Sequence, residues 1–382
     1  MRRWLILLVL SGVIRAETVL ALPFFNHAAS ANLDWIGESI AETLRDAMAP
    51  EGVLVLDRED RLEAYRRLSL RRGAELTHAS IFKIGESLDA SLVIYGSYET
   101  PSKETLRITA RILDLQRTTQ GPEFSETGAL EDLATMEYRL GWQVLQQLHW
   151  KSVSSRDEFL RARPAVRLDA VESYVRGLLA ATAEQRHLFF TRAARLDEHY
   201  SQPCFQLGKI FWEKKDYKIA AGWLERVSRP DPHYLEAQFF LGLCRYNMAD
   251  FRGAAECFQT VAASVPLNEV YDDLGAAQSR LNQSEAALAS FRKASEGDSG
   301  DPDYHFNLGY TLWRGKQFDA AVDSLRAVVE RNPGDNEATA LLGRALKKEG
   351  PRPGDPRSEA RERLKTNYEE AAFRQLQAEL GK

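Results

Sequence analysis

Five Leu-Gly pairs fix the register of the C-terminal half of this 382-residue chain: Leu207-Gly208, Leu241-Gly242, Leu274-Gly275, Leu308-Gly309 and Leu342-Gly343, with glycines 34, 33, 34 and 34 residues apart. A helical hairpin of that period cannot bury its apolar face alone and must stack on its neighbours. Other positions keep the register. An alanine follows at Ala220, Ala254, Ala287 and Ala321, then a large apolar residue at Leu224, Phe258, Phe291 and Leu325, then Val227, Val261, Ala294 and Val328. The small residues let two antiparallel helices approach, and the large ones fill the groove between them. Pro232, Pro266 and Pro333 close three units, since proline cannot continue a helix. The remaining unit is one residue short, with Ser299 there and Pro302 shortly after.

On these motifs, residues 201 to about 334 resemble the tetratricopeptide repeat (TPR) family. A looser unit precedes them, with Tyr174 read at the glycine site, Phe190 and Ala193 after it, and an inter-helix turn shortened by three residues. Leu342-Gly343 opens a sixth unit that breaks at Gly350-Pro351-Arg352-Pro353-Gly354. The array is expected over 168–349, as about five hairpins plus the start of a sixth. Residues 350–382 then form a Gly/Pro loop and a polar helix, about Arg357 to Ala378, that caps the last apolar face.

The N-terminal half has a different period and reads as a separate α/β domain with a mixed sheet, over 17–150. Thr18 to Phe25 is a continuous apolar run ending beside a proline, as in a buried strand. Ile36, Ile40 and Leu44 share one helix face, with Ser30 or Asn32 as its cap. Val53 to Leu56 and Ser91 to Tyr95 are further buried strands, separated by helices over Asp57 to Leu70 and from Thr77 to Leu88. Leu106, Ile108, Ala110 and Ile112 alternate with polar residues, which marks a half-exposed strand. A short strand near Phe124 to Thr127 and a helix over about Leu130 to Leu148 complete the order β-α-β-α-α-β-β-β-α. Val19-Leu-Ala-Leu-Pro-Phe-Phe-Asn26, Leu33 to Ile40, and Asp89-Ala-Ser-Leu-Val-Ile-Tyr-Gly96 before a hairpin together resemble the amino-terminal domain of the TolB family, over residues 18 to 148. That resemblance implies the fold. It does not carry over TolB's partners, because no propeller repeats follow. A polar linker, 151–167, joins the halves, and 17–150 and 168–382 are each expected to fold alone.

Met1-Arg2-Arg3, the apolar run Trp4 to Ile14 and Ala16 read as a secretory signal peptide, 1–16; an uncleaved anchor is the alternative. The apolar run is short for a bilayer span, and no cysteine near the cut offers a lipid attachment site. The mature chain is expected in the periplasm or secreted, without an integral membrane segment. Its net charge would fall from −5 to −8, which argues against nucleic acid as a partner. Cys204, Cys244 and Cys257, an odd number at apolar-facing spacing, read as buried thiols.

The seven histidines form no His-Glu-x-x-His motif, and neither a Gly-x-Ser-x-Gly elbow nor a phosphate loop is present. His27 alone lies near a sheet's C-terminal edge, where it reads as a polar loop residue. Gly96 reads as a backbone necessity. No catalytic, cofactor or metal-binding set is expected, so the chain reads as non-enzymatic. In TPR proteins the first helix of each hairpin lines a concave groove. The resemblance places Phe205, Lys209 and Trp212 there, then Phe239, Leu243, Tyr246 and Asn247, then Phe306, Tyr310, Trp313 and Arg314. Those aromatics suit a protein or peptide ligand, unless they instead stack against adjacent repeats. Phe205, Phe239, Asp272 and Phe306 at the fifth position do not make a carboxylate clamp, so an extended or helical apolar segment is expected as ligand. Function then reads as an exported protein–protein interaction scaffold or adaptor of the bacterial envelope. The alternatives are a transport or secretion accessory docking on an outer-membrane partner, and a small-ligand or hydrolytic site on the first domain.

Overall fold

The computed structural model describes residues 18–28, 30–102, 104–148, 153–163, 165–354, 357 and 359–380. The signal-peptide reading of residues 1–16 lies outside the described residues. β1 (Thr18–Ala21), β2 (Phe25–Asn26), α1 (Trp35–Met48), β3 (Leu54–Val55), α2 (Arg58–Arg67), α3 (His78–Ser87), β4 (Leu92–Glu99), β5 (Thr105–Asp114), β6 (Thr119–Ala129) and α4 (Leu133–Gln147) build an α/β unit. The sheet order is β3-β1-β4-β5-β6. β1 runs parallel to β3 and β4, and β4, β5 and β6 are antiparallel. The apolar run from Thr18 is not one strand. It breaks at Pro23, and β2 resumes the pairing with β4. α1 begins at Asp34 rather than at Ser30 or Asn32, whose segment forms a short 3-10 turn first.

The alternation in β5 sends Leu106, Ile108, Ala110 and Ile112 to one face, where α1 and α4 cover them. Leu20, Leu22, Val93 and Leu113 face the other side under α2 and α3. Both of those helices are capped by side chains: Asp57 and Asp60 form a reciprocal capping box on α2, and Thr77 caps α3.

Within the expected linker the chain forms α5 (Arg156–Arg161), whose Phe159 is buried. The hairpins follow as α6 (Leu168–Leu179) with α7 (Ala183–Leu196), α8 (Gln202–Glu213) with α9 (Tyr217–Leu224), α10 (Tyr234–Asn247) with α11 (Phe251–Ser264), α12 (Asn268–Arg280) with α13 (Ser284–Gly297), and α14 (Pro302–Arg314) with α15 (Phe318–Arg331). α16 (Asn336–Leu346) opens the incomplete sixth unit. The small sites meet large residues as the spacing predicts. A Cβ at Gly275 would lie 2.7 Å from the Phe291 ring, and one at Gly242 would lie 2.7 Å from that of Phe258. In the first hairpin the glycine site is Gly177, not Tyr174: a Cβ there would sit 2.5 Å from Phe190. The missing residues come from α6, which ends a turn early, and the connection keeps its ordinary length. Each later turn contains a non-glycine residue with left-handed backbone, at Lys215, Ala249, Asn282, Lys316 and Lys348.

The two halves share one apolar core, which runs from Val19 through Leu44, Tyr174 and Phe205 to Phe258. Polar contacts reinforce the junction. Arg58 donates to the Leu178 carbonyl at 2.8 Å, Arg176 to Asn32 at 2.9 and 3.1 Å, and Arg45 lies 3.2 Å from the His233 ring. Arg61, itself buried, holds Glu38 at 2.5 Å and the Ala21 carbonyl at 2.9 Å, which fixes α1 and α2 against β1. The halves are therefore not insulated from each other, and separating them at the linker would expose a continuous apolar face.

Glu137 of α4 is fully buried beside α1, where the Thr43 hydroxyl donates to it at 2.8 Å. Burial raises its carboxyl from an ordinary 4.5 to about 8, against the hydroxyls of Ser39 and Thr43. Between those values the folded protein keeps a proton that the unfolded chain releases, so stability falls as pH rises across that window. Glu137→Gln removes this dependence. Thermal melts should give it no advantage near pH 4.5 and an advantage of several degrees near pH 8; parallel curves would contradict the assignment. The repeat packing makes a second prediction. Gly275→Ala should cost about 1–3 kcal/mol from overpacking. Gly343→Ala, with nothing within 4 Å of its new methyl, should be neutral or stabilise by up to ~1 kcal/mol. Denaturant titrations of the two variants decide this.

Candidate functional site

The concave face of the array is occupied by the chain's own C-terminal segment. The sequence predicted a helix from about Arg357 that caps the last hairpin. Instead residues 359–369 lack helix and run back along the groove, and α17 (Glu370–Leu380) forms only beyond it. α17 lies against β3, with Phe373 buried and Arg374 donating to Asp57 at 2.8 Å and Asp60 at 2.6 Å. It covers the α/β domain, and the solenoid end is not its site.

Three side chains read the backbone of this segment. Asn307 on α14 is wholly buried. Its Oδ1 accepts from the Arg363 N–H at 2.7 Å, and its Nδ2 donates to the Arg363 carbonyl at 2.7 Å. Nδ2 also donates to the Asp272 carboxylate at 2.9 and 3.0 Å. Asp273 on α12 accepts from the Lys365 N–H at 2.8 Å, and Glu269 from the Glu369 N–H at 3.1 Å. These contacts replace the hydrogen bonds a helix would have made, which is why the segment stays extended. Burial holds the Asp272 and Asp273 carboxyls well above the usual carboxylate range, with Asn307 opposing it at Asp272.

The segment's side chains find charge partners. Glu362 accepts from Ser279 at 2.5 Å and Arg314 at 3.3 Å. Arg363 stacks 3.5 Å over the Phe306 ring and reaches Asp335 at 2.7 Å, Glu337 at 3.2 Å and Asp303 at 3.3 Å. Its hydrogen bonds hold the Asp335 carboxyl below the usual range. Lys365 pairs with Asp301 at 2.7 Å and Asp303 at 2.9 Å. Tyr368 donates to Glu236 at 2.7 Å and meets Phe239 edge-on, ring centres 5.0 Å apart. In this structure the groove holds a charged segment of the chain itself, where the expected ligand was an extended or helical apolar segment of a partner.

The predicted groove residues are thus not open anchors. Phe205, Phe239, Leu243, Phe306, Tyr310 and Trp313 are buried, Lys209, Trp212, Tyr246 and Arg314 are half-buried, and Asn247 is exposed. Some of the burial comes from the tail and some from neighbouring repeats. Phe205 stacks at 4.6 Å on His233 at the start of the next hairpin, while Tyr310 stacks on Trp313 of its own helix at 6.1 Å. Trp313 also donates to the Glu349 carbonyl at 2.8 Å. Asn307 and Asp273 were missed because each falls one residue after the positions the resemblance supplied.

A second concavity, about 710 Å³, lies over the uncovered face of β4, β5 and β6. His27, His78, Tyr95 and Arg111 line it; Tyr95 lies 3.2 Å from the His78 ring, and Arg111 pairs with Glu123 at 2.5 Å. Gly96 is a packing necessity, since a Cβ would lie 2.0 Å from the Thr109 carbonyl oxygen. Among the described residues no group of three His, Cys, Asp or Glu side chains is placed to hold a metal ion.

Trp313→Ala is expected to behave as a core truncation and cost ~3–5 kcal/mol. A melting temperature within a degree of the parent would return Trp313 to the surface.

With this geometry in view, the family model for the tetratricopeptide repeat matches residues 273–336 and 311–352. The anaphase-promoting complex subunit CDC16 of Saccharomyces cerevisiae is 34% identical over 74 residues, which is 19% of this chain; the match spans only 9% of that protein's length. Among solved structures, YrrB, described as a TPR protein with an unusual peptide-binding site, is 21% identical with a TM-score of 0.38, covering 44% of this chain and 84% of that one. MamA from Desulfovibrio magneticus is 22% identical with a TM-score of 0.38, covering 42% and 92%. The C-terminal region of this chain is a helical TPR solenoid, preceded by a mixed-sheet α/β region.

Proposed function

We propose that this protein is a non-catalytic scaffold or adaptor that holds an extended segment of a partner protein in the TPR groove. The observation that carries the reading is the bidentate grip of Asn307 on the Arg363 backbone. It supports a groove whose polar groups suit a peptide main chain, with acids and aromatics beside them to meet a partner's side chains. We place the protein in the bacterial envelope, on the reading of residues 1–16 as an export signal and on the resemblance of residues 18–148 to the TolB amino-terminal domain. Among the described residues no helix is long and apolar enough to cross a membrane.

A photo-crosslinking residue tests the groove in the full chain. Asn247 is exposed at a groove position on α10, and Glu285 is exposed on α13, in the second helix of its hairpin. In cells, a crosslinker at Asn247 should yield discrete protein adducts in the envelope fraction, and one at Glu285 should not. Equal adducts at both positions, or none at Asn247, would remove the groove from the function.

A further inference from the structure

The groove's occupant belongs to the chain itself, and its chemistry describes what the groove selects. We propose that residues 359–374 are a resident ligand, and that the external partner is a protein segment of the same chemistry that displaces them: an acid, an arginine, an apolar residue and a lysine in succession, with a tyrosine three residues later. This deepens the peptide-binding reading and rests on it.

Three features support displacement over a fixed structural role. First, the tail's main chain is held by side chains alone, through Asn307, Asp273 and Glu269. Side-chain readers can serve any extended backbone, whatever chain supplies it. Second, the specificity contacts are charged and lie at the groove's rim: Arg363, Lys365, Asp301 and Asp303 are half-buried, Glu337 is exposed and Asp335 is buried. Arg363 faces Asp303, Asp335 and Glu337, and Lys365 faces Asp301 and Asp303. A competing Arg and Lys would find this acidic rim complete, so displacement exchanges one set of ion pairs for a like set. Third, the groove presents the matching counter-charge for an acid one residue before the arginine, with Ser279, Arg280 and Arg314 around Glu362. The register of acid, arginine and lysine is therefore built into the solenoid as well as into the tail.

Release would also free α17 from the α/β domain, because Phe373 and Arg374 are continuous with the segment in the groove. Occupation of the groove by a partner is then reported at β3 and α2, through exposure of Asp57 and Asp60.

The test uses the full chain and a fluorescent synthetic peptide of residues 357–380. Wild-type protein should bind the peptide weakly, since the tethered tail competes at an effective concentration on the order of mM. A full-length variant carrying Arg363→Ala and Tyr368→Ala should bind it roughly a hundredfold more tightly or better. Adding Asn307→Ala to that variant should abolish the gain. A folded tail variant that fails to bind the peptide would overturn the proposal and leave the tail as a fixed structural element. If the tail variant does not fold, native-state hydrogen exchange of the wild type decides. Amides of Arg363, Lys365 and Glu369 exchanging well before those of α12 and α14 support release, and exchange only together with them overturns it. A tail that never leaves, with crosslinks still forming at Asn247, would sink displacement and spare groove binding.

Discussion

One buried amide organises the C-terminal half of this protein. Asn307 spends its carbonyl oxygen and both amide hydrogens on three partners: the N–H and C=O of Arg363 and the Asp272 carboxylate. Each such hydrogen bond contributes a net ~1 kcal/mol, but leaving any member buried and unpaired costs ~1–3 kcal/mol. The arrangement is therefore close to all-or-none. With the tail in place, Asp272 and Asp273 are desolvated and partly compensated. With the tail gone, water must reach both carboxylates.

The path of the tail follows from that anchor. Arg363 is fixed on α14, so Glu362 falls among Ser279, Arg280 and Arg314, and Lys365 falls between α12 and the acids at the start of α14. Tyr368 then reaches the aromatic pair Phe239 and Phe240 on α10. The chain leaves the groove with α17 already directed at the α/β domain. The array is thus closed on its concave side by its own terminus, and its two ends are tied through α17 as well as through the contacts of α1 with α6. The shared core of the two halves is the consequence.

The repeat was legible because its signals are local. A glycine and a large residue sixteen positions on must meet across each hairpin after the first, and the spacing states it directly. The α/β order was legible for the same reason: β5 alternates, and each helix carries an apolar stripe. The tail was not legible, because its partners are remote and obey no period. Asn307 meets a residue 56 positions away, Lys365 meets Asp273 across 92, Tyr368 meets Glu236 across 132, and Arg374 meets Asp60 across 314. Residues 357–378 carry a helical composition, and that composition forms a helix only where no groove supplies competing hydrogen bonds. The aromatic positions were placed on the correct helices, yet their exposure depended on an occupant that spacing could not reveal. Gly177 was displaced by Tyr174 in the reading because α6 ends about a turn sooner after its glycine than α8, α10 and α12 do.

The central claim is that the tail lies in the groove of its own chain in solution. Pulsed electron paramagnetic resonance measures it directly. The native cysteines Cys204, Cys244 and Cys257 are buried, so spin labels can be directed to Gln375→Cys on α17 and Glu285→Cys on α13, both exposed in the structure. The account predicts one narrow distance between the labels, unchanged on dilution with unlabelled protein and broadened by Asn307→Ala. A broad distribution in the parent protein, insensitive to Asn307→Ala, would contradict it.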